Sequence, residues 1–198
     1  MILEPLIAAI ALASFVTQVI LNLPEHGSVA NSVWQMLRYF TVLTNLTVAA
    51  ILLRATLRGR MPGPAISAAM TTWIIVVGSV YHGLLYQGHD PATLDFWVDH
   101  GFHTAVPLLT VLWWGLRADK SGLRWAMPLV WALFPIAYLV YALARGLADG
   151  VFPYFFIDPT IVGWGGVAAW VTGLFALFCA LGVGLIGLSR LRARRRAA

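Results

Sequence analysis

Six long apolar segments, separated by short polar turns, constrain what this chain of 198 residues can fold into. A helix needs about 20 apolar residues to cross a hydrocarbon layer about 30 Å thick. Backbone in contact with lipid must also satisfy its hydrogen bonds within its own segment. The segments are Ile2–Leu23, Ala30–Leu53, Pro64–Tyr86, Thr93–Leu116, Trp125–Leu147 and Thr160–Leu188. We therefore predict an all-α, polytopic integral membrane protein built as a bundle of six transmembrane helices.

The composition leaves little room for a soluble domain. Hydrophobic residues make up 60% of the chain and charged residues 11%, whereas about a quarter of a soluble domain is charged. We predict a single transmembrane domain over residues 1–189, followed by an Arg-rich cytoplasmic tail over residues 190–198. Cys179 is the only cysteine in the sequence, so an intramolecular disulfide and a cysteine metal cage are both excluded.

The basic residues predict how the chain is oriented, because Lys and Arg concentrate in cytoplasmic loops. Eleven of the thirteen Lys and Arg follow the second, fourth and sixth segments: Arg54, Arg58, Arg60, Arg117, Lys120, Arg124, Arg190, Arg192, Arg194, Arg195 and Arg196. The opposite loops carry acidic residues instead. We predict a protein of the cell (inner) membrane with both termini in the cytoplasm. The tail is interpreted as an anchor on anionic lipid, and no nucleic-acid partner is expected.

Polar and ionisable side chains inside two of the segments mark function or internal packing, because such groups are costly in lipid. In the second segment Arg38, Thr41 and Asn45 lie along one helical stripe, with Thr44 at its flank. In the fourth segment three polar residues share one face: Asp99, His100 and His103. Counting along straight helices places Thr41 and His103 at one level, about 15 Å below the outer surface. Further polar side chains lie above that level and predict a cavity open to the outside or to the outer leaflet: Tyr81, His82, Tyr141 and Arg145.

A hydroxyl and an imidazole at one depth suggest nucleophilic catalysis. A threonine hydroxyl needs a base to accept its proton as it attacks, and His103 can serve Thr41 if the two helices touch. Asp99 could orient the imidazole ring. Oxyanion donors would come from Asn45, Arg38, a Tyr hydroxyl or backbone N–H groups, and the sequence does not choose among them.

Each of these residues also has a structural interpretation. Threonine in a helix often donates to the carbonyl four residues back, which we expect for four hydroxyls: Thr44, Thr47, Thr71 and Thr72. The same interpretation is open for Thr41 taken alone. Arg38 and Arg145 could extend to the headgroups instead of serving a site.

Two further classes of function stay open. Histidine and carboxylate ligands also suit zinc, so His82, Asp99, His100 and His103 are candidate ligands of a metal-dependent hydrolase. A non-enzymatic lipid-binding protein or carrier would use the same polar cavity to hold a headgroup.

Three stretches of the sequence resemble the androgen-induced membrane hydrolase family. They are Arg38–Asn45 (RYFTVLTN), Asp99–Pro107 (DHGFHTAVP) and Gly150–Asp158 (GVFPYFFID). The resemblance spans the second to the sixth segment, and the His-Gly-x-His-Thr stretch is its most specific part. The loop between the second and third segments is shorter than in that family, and Asp99 stands where its animal members carry Asn.

The resemblance implies a multipass hydrolase with a catalytic Thr and His and with no cofactor. The animal members of the family hydrolyse fatty acid esters of hydroxy fatty acids. Without a gap, the nucleophile of the family falls on Thr41 (Thr44 if the alignment slides), and its base falls on His103. We therefore predict an esterase for lipids with long acyl chains. The expected substrate-binding residues are Arg38, Thr44, Asn45, Tyr81, His82, Asp99, His100, Tyr141 and Tyr154.

Overall fold

The protein is an all-α membrane protein. A computed structural model describes the backbone of residues 2–197 and the side chains of residues 2–192. It is 81% helical, and no β-strand occurs in these residues, which confirms the predicted fold class. Five helices within them are long and apolar enough to cross a membrane: Leu3–Leu21, Phe40–Arg58, Pro64–Leu85, Met127–Asp149 and Pro159–Arg192.

The predicted fourth crossing is helical but is not one of these five. Its helical path runs from Leu94 to Leu116, and polar side chains interrupt its apolar character: Asp95, Asp99, His100 and His103. The predicted count of six spanning helices is therefore not confirmed as such.

The chain divides into two compact units, residues 1–121 and residues 122–198. The first unit contains seven α-helices and two π-helices among its described residues. They are α1 (Leu3–Leu21), α2 (Leu23–His26), α3 (Val29–Met36), α4 (Phe40–Arg58), α5 (Pro64–Val80), π1 (Tyr81–Leu85), α6 (Leu94–His100), π2 (Gly101–Ala105) and α7 (Val106–Leu116).

The prediction of one continuous helix over Ala30–Leu53 is wrong. The chain leaves the helix after Met36, and Tyr39 adopts an extended conformation (φ −92°, ψ 132°) before α4 begins at Phe40. Residues 37–39 contain neither Pro nor Gly, so the apolar pattern gave no sign of the break. Thr41 consequently lies in the first turn of α4 rather than in the middle of a long helix.

Helix α1 is central to the first unit and packs against α3, α4, α6, π2 and α7. At its start the buried Glu4 accepts hydrogen bonds from the Trp113 indole (2.9 Å) and from Nε of Arg117 (2.7 Å). Its other end joins an apolar cluster that surrounds the start of α4 and π2: Val19, Met36, Val42, Val98 and Phe102. Helix α1 therefore runs from the end of α7 to the region where α4 begins.

The second unit consists of α8 (Met127–Trp131), α9 (Leu133–Asp149), a 3₁₀ turn (Phe155–Ile157) and α10 (Pro159–Ala197). The predicted fifth segment is thus interrupted at Ala132. Near its start α10 bends at Gly163, whose φ of 66° favours glycine. Towards its other end Arg190 donates to the Leu123 carbonyl (3.1 Å).

The predicted tail, residues 190–198, begins inside α10, because that helix continues through Ala197. Three of the five arginines in the tail have side chains outside the described residues: Arg194, Arg195 and Arg196.

Candidate functional site

The first unit brings the two predicted catalytic side chains together. Oγ1 of Thr41, in the first turn of α4, lies 3.2 Å from Nε2 of His103 in π2. Thr41 is buried and His103 is partly buried. A base within hydrogen-bond reach of a hydroxyl is the geometry that general-base activation requires.

The other imidazole nitrogen fixes the tautomer of His103. Nδ1 lies 2.9 Å from the main-chain oxygen of Asp99 and 2.9 Å from its carboxylate Oδ1. Both of these atoms are acceptors, so in the neutral ring Nδ1 carries the proton and the lone pair of Nε2 is directed to Thr41. The carboxylate that the sequence offered as an orienting group therefore contacts the ring directly.

Tyr81 supports this arrangement from the side. Its ring stacks on the His103 imidazole, with centroids 3.8 Å apart and an interplanar angle of 11°. Its hydroxyl donates to Oδ2 of Asp99. Tyr81 therefore packs against His103 and Asp99 and holds both in place; the predicted role of Tyr81 in substrate binding stays a prediction.

His89 is a member of the site that the sequence did not reveal. It lies between π1 and α6, and its Nε2 is 3.3 Å from Oδ2 of Asp99, with 40% of the side chain exposed. His89 lies outside the apolar segments, where no helical periodicity indicates which residues are close together. Its contact with Asp99 is therefore evident only from the tertiary structure.

Two π-helices carry side chains of the candidate site: π1 carries Tyr81 and π2 carries His103. In π2 the Val106 N–H donates to the Gly101 carbonyl, five residues back. Pro107, the next residue, has no N–H to donate. Wider turns of this kind occur mostly as single-turn insertions within α-helices, and frequently at functional sites; hydrophobic periodicity does not reveal them.

The close approach of π2 to α1 requires glycine at position 101. A Cβ there would lie 2.1 Å from Oγ of Ser14 on α1. The π2 segment therefore packs closely against α1 on one side, and it also contacts α4 and α5.

Asn45 connects Thr41 to the π-helix that carries His103. Its amide nitrogen donates to the Thr41 carbonyl (2.8 Å) and to the Phe102 carbonyl (3.3 Å). Both partners are acceptors, so this end of the amide is the nitrogen. Its two N–H groups are thereby engaged, and the option of Asn45 as an oxyanion donor loses support.

The first turn of α4 offers another set of donors. N–H groups in the first turn of a helix have no acceptor within the helix, and that of Val42 directly follows Thr41 in the chain. The N-terminus of a helix also carries a partial positive charge. Negative charge that develops on an oxygen beside Thr41 therefore meets a favourable field.

Of the four threonines expected to donate to their own helix, three do so and one does not. Thr47, Thr71 and Thr72 donate to the carbonyls of Leu43, Ser67 and Ala68, as predicted. The prediction is wrong for Thr44, which is fully buried and whose Oγ1 has no hydrogen-bond partner among the described residues. The structure therefore places Thr41, rather than Thr44, against the histidine.

The remaining histidines of the predicted cluster point elsewhere. Nε2 of His82 lies 2.9 Å from Oγ1 of Thr104, and Nδ1 of His100 lies 2.9 Å from the Phe96 carbonyl. Their ring centroids are 6.4 Å apart. No three His, Cys, Asp or Glu side chains among the described residues converge as a ligand set, so His82, Asp99, His100 and His103 do not form the zinc site considered above.

The other predicted binding residues lie at three places in the fold. Arg38 is buried just before α4 and donates to Oε1 of Gln35 (3.1 Å). In the second unit Arg145 donates to the Tyr141 hydroxyl (2.8 Å). In the same unit the Tyr154 ring stacks on Phe156, with centroids 5.0 Å apart. A role for Tyr141 and Tyr154 beside Thr41 stays a prediction.

Comparison with known proteins adds no assignment: no protein-family model matches the chain, and no curated protein or solved structure matches it. The chemistry of the site therefore has to be argued from its own geometry.

Proposed function

We propose that this protein is a membrane hydrolase that cleaves carboxylic esters of lipids, with Thr41 as nucleophile and His103 as base. One observation carries the proposal. The Thr41 hydroxyl lies 3.2 Å from a His103 nitrogen whose lone pair is directed to it, while the opposite nitrogen is held by Asp99. Nucleophile, base and orienting carboxylate in this order form the constellation that recurs in acyl-transfer enzymes on unrelated folds.

In the proposed reaction Oγ1 of Thr41 attacks the ester carbonyl carbon, and its proton passes to Nε2 of His103. The tetrahedral intermediate then collapses, the alcohol leaves with that proton, and an acyl-threonine remains. A water molecule that gives a proton to His103 attacks the acyl-threonine and releases the carboxylic acid. Thr41 takes the proton back, which restores the starting state.

The first turn of α4 is our candidate for stabilising the oxyanion. The Val42 N–H belongs to the helix end that begins beside Thr41, and removal of a single such donor costs other acyl-transfer enzymes about 10²–10³-fold in rate. This donor is preorganised by the fold and needs no side chain to move.

The proposed orientation places the site on the non-cytoplasmic side. Arg58 ends α4 seventeen residues after Thr41, about 25 Å away along the helix axis, and Arg117 lies at the same end of the unit through its contact with Glu4. Because basic residues favour the cytoplasmic side, the reacting groups would lie near the outer boundary of the hydrocarbon. Water could reach them there, while the acyl chains of a substrate stay in lipid.

The resemblance to the androgen-induced membrane hydrolases supports the same chemistry, because its two signature stretches contain the two residues that meet. We propose membership of that family, location in the cell membrane and cytoplasmic termini. The substrate class would be esters with long acyl chains, with fatty acid esters of hydroxy fatty acids as the first compounds to test.

A fluorophosphonate probe tests the proposal directly, because it reacts covalently with an activated hydroxyl nucleophile. The wild-type protein, purified in detergent, should be labelled, and Thr41→Ala and His103→Ala should each abolish labelling and ester hydrolysis. Thr47→Ala is the matched control, since Thr47 lies on the same helix and donates to its own backbone at the Leu43 carbonyl. The melting temperature of each variant shows whether it is folded.

Three outcomes would contradict the proposal in different ways. Full labelling of folded Thr41→Ala would remove Thr41 from the chemistry. No labelling and no hydrolysis by folded wild type would favour a lipid-binding or carrier protein. Stoichiometric metal in active protein would favour a metal-dependent hydrolase.

A further inference from the structure

A carbonyl group in π2 has lost both of its possible helical donors. In an α-helix the Phe102 carbonyl would accept the Val106 N–H, but that N–H donates to Gly101 instead. In the π-helical register it would accept the N–H of residue 107, which is a proline. The carbonyl nevertheless needs a donor, because a buried backbone oxygen without one is destabilising.

Asn45 supplies that donor from another helix. Its fully buried amide nitrogen lies 3.3 Å from the Phe102 carbonyl and 2.8 Å from the Thr41 carbonyl. One rigid group of two N–H donors thus joins the residue that precedes His103 to the residue that carries the nucleophile. The Asn45 amide therefore supplies the hydrogen bond that the N–H of residue 107 would have supplied if that residue were not proline.

We infer that Asn45 is a positioning residue that sets the separation between the Thr41 hydroxyl and the His103 imidazole. The inference rests on the proposed function for its catalytic consequence but not for its geometry. Without Asn45 the Phe102 carbonyl loses its hydrogen bond to α4, and the apolar packing of Val42 against Phe102, which is less directional, would have to hold π2 in place. Displacements of about 1 Å in a catalytic pair can cost about 10²-fold in rate.

The decisive variant is Asn45→Thr. A threonine at position 45 can still donate to the Thr41 carbonyl four residues back, as Thr47 does to Leu43, but it cannot also reach Phe102. We expect fluorophosphonate labelling to slow by about ten- to a hundredfold, with the protein still folded. Thr71→Val on α5 is the matched control, because it removes an equally buried hydroxyl that donates only within its own helix; it should label at the wild-type rate.

A second measurement tests the geometry without any activity. In protein labelled with ¹⁵N-histidine, the Nε2 resonance of His103, assigned with His103→Ala, reports its hydrogen bond to Thr41. It should shift in Asn45→Thr and stay unchanged in Thr71→Val. An unchanged resonance together with an unchanged labelling rate would overturn the inference.

A double-mutant cycle with Pro107→Ala tests the cause of the contact. An alanine at position 107 provides the missing N–H, so the Phe102 carbonyl, five residues back, gains a backbone donor in the π-helical register of this turn. We expect Asn45→Thr to lower the melting temperature less in the Pro107→Ala background than in the wild type. Additive effects would contradict the proposed link between Asn45 and Phe102. If wild type is not labelled at all, the proposed function fails, while the resonance and the cycle still decide on Asn45.

Discussion

Replacement of Asp99 by Asn probes how the base of the proposed hydrolase is held. The Asp99 carboxylate has one oxygen 2.9 Å from Nδ1 of His103, and its other oxygen accepts the Tyr81 hydroxyl and lies 3.3 Å from Nε2 of His89. In Asp99→Asn the amide oxygen must still face the Tyr81 donor. The amide NH₂ would then face the protonated Nδ1, so that an attractive contact becomes a contact between two donors.

The size of the effect follows from what the carboxylate does while His103 holds the proton of Thr41. A hydrogen bond to a charged group contributes about 1.5–3 kcal/mol, and each 1.36 kcal/mol corresponds to about tenfold in rate. The loss should therefore be about 10- to 100-fold. A loss of about 10⁴-fold, as when the wrong tautomer forms in a serine-protease triad, is not expected here. The main-chain oxygen of Asp99, also 2.9 Å from Nδ1, still holds the proton on that nitrogen.

The assay is the rate of fluorophosphonate labelling, with the hydrolysis of a long-chain ester measured in parallel. Asp95→Asn is the matched control, because Asp95 is an exposed carboxylate one turn earlier on the same helix; it should not change either rate. A loss for Asp99→Asn as complete as that for His103→Ala would refute the role given to the main-chain oxygen. No loss would refute the role given to the carboxylate.

Two further predictions concern the packing that supports the site. Gly101→Ala should destabilise the protein by about 1–3 kcal/mol, because the new Cβ would lie 2.1 Å from Oγ of Ser14. The control is Gly184→Ala, whose Cβ would have no atom within 4 Å apart from the adjacent backbone of its own helix. Equal melting temperatures of the two variants would contradict the close packing of Gly101 against Ser14. Glu4→Gln should lower the free energy of unfolding by about 1–3 kcal/mol, since it removes the charge that Arg117 contacts at 2.7 Å. In denaturant unfolding its effect should not add to that of Arg117→Gln, and full additivity would show that the two groups act independently.

The candidate residues of the site could be picked out from the sequence because polar groups inside apolar segments are costly. The residues Thr41, Asp99 and His103 stand out for that reason alone, and the spacing of four predicts that Asp99 and His103 share a helical face. The all-α fold follows in the same way, because backbone in lipid has few ways to satisfy its hydrogen bonds. These predictions depend only on local composition and helical geometry.

The supporting residues could not be predicted, because their roles depend on contacts between separate elements. Tyr81, which the sequence indicated only as one polar residue of a cavity, packs behind His103, and His89 reaches Asp99 from a loop that has no distinguishing pattern. Asn45 was a candidate oxyanion donor until its two acceptors were seen. A polar residue on a helix can face substrate, backbone or another helix, and the sequence does not distinguish these environments.

The sequence by itself determined that the chain is helical and apolar, and it gave the candidate site residues, with Thr41 and Thr44 both open as the hydroxyl, because the cost of burying polar groups is a property of each residue. Only the tertiary structure decided that α4 begins at Phe40, in the middle of the RYFTV stretch, and that π2 widens where Pro107 cannot donate. These irregular turns bring Oγ1 of Thr41 to 3.2 Å from Nε2 of His103. Such turns are stabilised by hydrogen bonds from neighbouring helices, as the bond from Asn45 to the Phe102 carbonyl shows. A hydrogen bond between two helices cannot be predicted from the sequence pattern of either helix alone.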